Sequence, residues 1–229
     1  MGVYIRTDIR RLSFRELWGI SSRIPVFLTG CVMKVLGLRG PLRLAVLHED
    51  VIRVIPPEHA SAAALRALGP VVEEFQRAGA SLAFYHAVSG TAPLEGCAAV
   101  LLHPERDAVI SVTWARSSAS GPGTKANGVI TSQFRDGTFL STTGARRQFD
   151  PPPGVQVFRH RNAPPSELMR RHKEHLAGIV LAPLPVEHAG QAEQLLLSAK
   201  RNNFESKVRR GVWVPLTREE RVRLGLPVE

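Results

Sequence analysis

The sequence predicts an α+β fold: an antiparallel meander sheet covered by helices, with an amphipathic N-terminal arm and a helical C-terminal tail. Three observations predict it. Residues 80–143 hold five short apolar segments separated by turn-forming clusters, which is how an antiparallel sheet is written. Residues 58–78 change to a period of three and four, with Leu65, Leu68, Val72 and Phe75 on one helical face. A helix followed by consecutive strands fits a layered α+β arrangement, the helix covering one face of the sheet.

Composition sets the outer bounds. At 229 residues the chain can bury a substantial core, and its 44% hydrophobic and 22% charged residues are those of a globular protein rather than a disordered one. Seventeen prolines and nineteen glycines announce many loops. The organisation expected is an arm over 1–40, a core domain over 41–180 and a tail over 181–229 packed on the core. Two cysteines, Cys31 and Cys97, each lie in an apolar run. That usage fits buried thiols in a reducing compartment, hence a cytoplasmic protein, and nothing favours a disulfide between them.

In chain order, Ser13 and Glu16 form a capping box, and Leu12 with Leu17 supplies the hydrophobic staple of a short helix through Trp18. Residues 26–38 are apolar but broken by Lys34 and two glycines, too short for a spanning helix of about 20 residues. They are expected to pack on the protein's own sheet, with a membrane surface as the alternative. The pair Arg10–Arg11 before this run resembles an export signal, but Phe14 is misplaced for it and no cleavage site follows. Residues 42–47 read as extended and are expected to turn back at 48–50 into 51–55. Gly69–Pro70 kinks or restarts the helix that follows, and Gly79 caps it.

Strands are expected at 82–87, 97–102 and 108–114, with a turn at 103–107. The hairpin 128–134 to 138–143 is the best-written unit, because Asp136–Gly137 supplies a position that tolerates positive φ. Residues 115–127 form a small-residue connector; Lys125 is followed by Ala126 and then a strand, so no phosphate-binding loop is read there. Prolines 151–153 make a rigid spacer before an edge strand at 155–158. A helix follows from Pro165 to Ala177, stopped by Gly178. The tail reads as a helix from 191 to about 204, an extended 212–216 anchored by Trp213, and a second capping box at Thr217–Glu220.

Function is read from charge. A net charge of +10 and a pI near 10.7 attract phosphates or an anionic membrane over about a Debye length. Arg6, Arg10, Arg11, Arg15, Arg23, Lys34 and Arg39 flank the apolar runs of the arm. That pattern predicts a non-catalytic binding or scaffold protein at an anionic surface, most directly the cytoplasmic face of a membrane, with another protein as the other partner class. The alternative is nucleic acid binding through Arg146, Arg147, Arg159, Arg161, Arg170, Arg171 and Lys173, although no aromatic interleaving or known module accompanies them.

The third reading is a small-molecule enzyme with a cleft between sheet and helix, but no catalytic residue, metal ligand or cofactor site is assigned. His160, His172 and His175 lack a placed carboxylate and read as surface histidines of a basic helix. Cys97 with His86 or His103 is the one nucleophile pair that can be drawn, and a buried structural cysteine is the commoner case.

Overall fold

A computed structural model describes residues 2–21, 24–37, 45–48, 52–88, 94–117, 125–146 and 149–226. Seven strands form the main sheet: β3 (Val54–Ile55), β4 (Ser81–Ala87), β5 (Leu94–Leu102), β6 (Val109–Ser117), β7 (Asn127–Gln133), β8 (Phe139–Thr143) and β9 (Val155–Arg159), lying side by side in that order. Every neighbour is antiparallel except β8 and β9, which run parallel. The meander is therefore as predicted through β8. The proline-bearing connection after Thr143 carries the chain back along the strand, so β9 starts at the same end as β8 instead of hairpinning onto it.

Two turn sites follow their local chemistry. Gly137 takes φ +81° in the β7–β8 turn, where Phe134 N–H donates to Thr138 O at 2.9 Å. Gly79 takes φ +97° just past helix α3 (Ala62–Arg77), and its N–H donates to the Gln76 carbonyl. Pro70 lies exposed inside α3, which stays one helix through it.

The sheet is covered on both faces. On one, α3 buries Ala64, Leu68, Val72 and Phe75 against Leu101, Ile110, Val112 and Ile130, and α4 (Pro165–Ala177) adds Leu168 and Met169. On the other, α5 (Ala189–Arg209) brings Ala192 and Leu195 onto Val100, Leu102 and Val109. Alternation along the strands sends neighbouring residues to opposite cores. The α3 core leaves no slack at Gly128, where a β-carbon would stand 2.8 Å from Phe75 Cε2. Gly128→Ala is expected to cost about 1–3 kcal/mol by overpacking, checked by denaturant unfolding.

A second sheet joins the two ends of the chain. β1 (Gly2–Thr7) lies between β2 (Ala45–His48) and β10 (Trp213–Pro215), antiparallel to both. The expected return of residues 42–47 into 51–55 is therefore corrected: β2 pairs with β1, whereas β3 belongs to the large sheet beside β4. Residues 42–44 and 49–51 lie outside the described residues. β6 also extends to Ser117, so residues 115–117 are strand rather than connector, because β5 continues opposite them.

The N-terminal capping box is as read. Ser13 Oγ accepts from Glu16 N–H and Glu16 Oε2 from Ser13 N–H, opening α1 (Phe14–Ile20), while Leu12 and Leu17 bury with Val212. Thr217 and Glu220 open α6 (Arg218–Arg223) in the same way. Residues 24–35 form α2 (Ile24–Val35), which packs on α1 and on the short 3₁₀ turn Ile9–Arg11 rather than covering the sheet.

Candidate membrane interface

Helix α2 is apolar on more than one side, and its packing uses only one of them. Phe27, Gly30 and Cys31 turn inward, and Gly30 lets the helix approach Leu17, whose Cδ1 would lie 2.9 Å from a β-carbon there. On the flank adjoining that face Ile24, Leu28, Val32 and Val35 recur at four, four and three, one stripe along the helix. All four are between 56% and 76% exposed, and Leu36 beyond them is exposed too. Helix α1, which packs beside α2, exposes Phe14, Trp18 and Ile20. Isolated exposed apolar residues are ordinary, but this many on two helices that pack together are the kind of feature that marks an interaction surface.

The cations sit on its aromatic residues. Lys34 Nζ lies 5.5 Å from the centre of the Phe14 ring and donates to the Arg10 carbonyl at 2.5 Å. The Arg146 guanidinium lies 5.6 Å over the Trp18 ring and donates to the Trp18 carbonyl at 2.9 Å. Trp18 is in turn held edge-on by Phe27 at 5.0 Å. Arg15 is exposed on α1, and among the described residues neither it nor Arg11 carries an ion pair.

Other predicted arm cations are engaged elsewhere. Arg6, on β1, pairs with Glu220 of α6 at 3.0 Å. Arg10 pairs with Asp8 at 2.7 Å and holds that carboxyl below its usual range. Arg23 and Arg39 lie outside the described residues. Sequence reading found the cations but not Arg146 as their neighbour, since only the fold brings residue 146 to α1.

Three cations of the second basic zone are paired with carboxylates. Arg170 and Arg171 both pair with Glu167 and Glu174 along α4, and Lys173 pairs with Glu105 at 2.5 Å. Arg159 lies at the end of β9, and Arg161 is exposed in the turn after it. Arg147 lies outside the described residues.

The histidines correct the surface reading. His172 is completely buried, with Nε2 3.0 Å from Ser132 Oγ and Nδ1 3.0 Å from Thr142 Oγ1. Ser132 donates its own proton to the Asp107 carbonyl, so it accepts from Nε2–H, and Thr142 donates to Nδ1. Burial, with His103 nearby, pushes the His172 pKa down to about 3, so the ring is neutral. A serine–histidine pair at this distance has the geometry of an activated nucleophile, but with both residues sealed from solvent it serves the core. Helical periodicity could have found His172, because it falls on the Leu168 face one turn on.

His160 and His175 come together, Nε2 to Nε2 at 3.0 Å, apart from His172. Among the described residues no group of three or more His, Cys, Asp or Glu is placed to hold a metal ion. Cys97 lies in the α3 core and its burial raises the thiol pKa. His86 lies on the sheet's other face beside Phe84, and His103 stands 2.7 Å from Asp107, so the three do not converge. Both cysteines are free.

The fold and this surface define an α+β protein with an exposed, cation-bearing apolar face. No protein family, curated protein or solved structure matches the chain. Among the described residues no helix is long and apolar enough to cross a membrane.

Proposed function

We propose that this protein binds peripherally to an anionic membrane surface through α1 and α2, and serves there as a non-catalytic binding or scaffold protein. The observation that carries the reading is the exposed stripe Ile24–Leu28–Val32–Val35 beside two exposed aromatics, each with a cation against its ring. Apolar side chains enter the acyl boundary while Arg15, Lys34 and Arg146 meet the phosphates, which is how an interfacial helix divides its work. At about 18 Å long, α2 lies in the interface rather than across it. The cytoplasmic leaflet is the matching anionic surface, consistent with two free thiols.

Co-sedimentation with vesicles of phosphatidylserine and phosphatidylcholine, against phosphatidylcholine alone, tests this at low salt. Binding is expected only to the anionic vesicles. The double variant Leu28→Asp, Val32→Asp is expected to weaken it at least about tenfold, each apolar side chain contributing on the order of 1.5–3 kcal/mol when buried. Point substitutions are preferable to removing residues 1–40, which would take away β1, the middle strand of the small sheet. A wild-type protein that ignores anionic vesicles, yet self-associates in a way the double variant abolishes, would make the face a protein interface instead.

A further inference from the structure

A cavity of about 630 Å³ lies between the sheet and helix α5, within the size range of small-molecule sites. Its floor is the face of β7, β8 and β9 turned away from α4, presenting Val129, Phe139 and Val157. Helix α5 contributes Ala199, Asn203 and Lys207, spaced by four and therefore on one face. Phe149, Trp213, Arg146 and Arg159 also line it.

Lys207 is the anomaly. It is 5% exposed, and its Nζ lies 4.2 Å from the Phe149 ring centre and 4.0 Å from that of Trp213. Ring faces attract the charge but accept few of an ammonium's three N–H bonds. Among the described residues the Lys207 ammonium has no hydrogen bond or ion pair, and Glu16, the acid whose charge acts on it, is taken by Arg210. A buried cation left this way faces a space in which a negative group would complete it.

We propose that this cavity binds a small amphiphilic anion, a carboxylate or phosphate monoester on an apolar chain, with its head group on Lys207 and its chain over the β7–β9 floor. The lining carries three cations, one deep and two outer, against the single carboxylate of Asp150, over an apolar floor larger than a head group alone requires. The site is independent of the α1–α2 face, although Arg146 touches both.

Titration by calorimetry with decanoate below its micelle concentration provides the test, with decyl phosphate, inorganic phosphate and decanol as comparison probes. Decanoate or decyl phosphate is expected to bind with one-to-one stoichiometry, and the preference between them identifies the head group. Decanol and inorganic phosphate are expected to bind at least about tenfold more weakly, each lacking one half of the ligand.

Lys207→Met, which keeps an unbranched chain between the rings, should lose the preference for the anion over decanol. Burial lowers the Lys207 pKa to about 8, so anion binding should weaken as pH rises from 7 to 10. Glu16 and Arg210 face the ammonium and Asp150, Arg146 and Arg159 line the cavity, and Lys207→Arg keeps the charge and should flatten the profile. Equal binding of decanoate and decanol to wild type and Lys207→Met would overturn the proposal, as would stronger binding of inorganic phosphate alone. The Leu28→Asp, Val32→Asp variant should retain decanoate, which separates failure here from failure of the membrane reading.

Discussion

Glu16→Ala is expected to lower folding stability by about 3 kcal/mol, toward the lower end of the range for breaking a buried ion pair. The carboxylate is completely buried and ties three segments together. Oε2 accepts from Ser13 N–H at 2.9 Å and from Arg210 Nη2 at 2.7 Å, and Oε1 accepts from Asp150 N–H at 2.9 Å. Removal frees two backbone donors and an arginine at once, but Arg210 keeps about a third of its side chain in water, which limits the loss. Glu16→Gln retains an acceptor oxygen and should fall between. Burial alone would raise the Glu16 pKa, and the Arg210 and Ser13 bonds outweigh it, so the folded value lies below the usual 4.5. The ion pair's stabilisation is therefore full above pH 4.5 and fades as pH falls through the folded pKa. Urea unfolding from pH 7 to 3 should show the wild-type advantage over Glu16→Gln shrinking at the acid end; a constant difference would contradict the assignment.

His172→Ala should cost about 2–4 kcal/mol, from the cavity left between α4 and the sheet and from Thr142, whose hydroxyl loses its acceptor. The pH dependence runs through the unfolded state. The unfolded histidine takes up a proton near pH 6.5 while the folded one resists until about pH 3. Stability is thus intact above pH 6.5 and falls on acidification by as much as about 1.4 kcal/mol per pH unit. His86, also buried with a lowered pKa, contributes in the same direction. The His172→Ala chain should unfold with a shallower acid slope by about one proton, and an unchanged slope would show that another group carries it.

Local chemistry made much of this fold legible. The Asp136–Gly137 turn, the 165–177 helix and both capping boxes are written in a few adjacent residues, and the structure has them at those positions. What failed to read was long-range. Residues 2–7 form a strand whose partners lie at 45–48 and 213–215, and no local pattern names a partner that distant. The parallel placement of β9 likewise depends on the path of its connection, not on the alternation of 155–159. Residues 26–38 showed their apolarity in sequence, but periodicity could not say which side meets the protein, because both sides are apolar. Nothing in the local sequence sets Lys207 apart from Arg209 and Arg210 beside it. Only Phe149 and Trp213, brought to it from two other segments, make it a buried charge.

The three-stranded sheet also sets an order of events. β1 cannot complete its pairing with β10 until the whole seven-stranded sheet has left the ribosome, so α1 and α2 emerge long before the sheet beside them can close. During that interval the apolar stripe of α2 is exposed and the cluster of Phe27 and Cys31 still lacks Phe149, Val212 and Trp213. The nascent chain therefore presents a broader apolar surface than the finished protein.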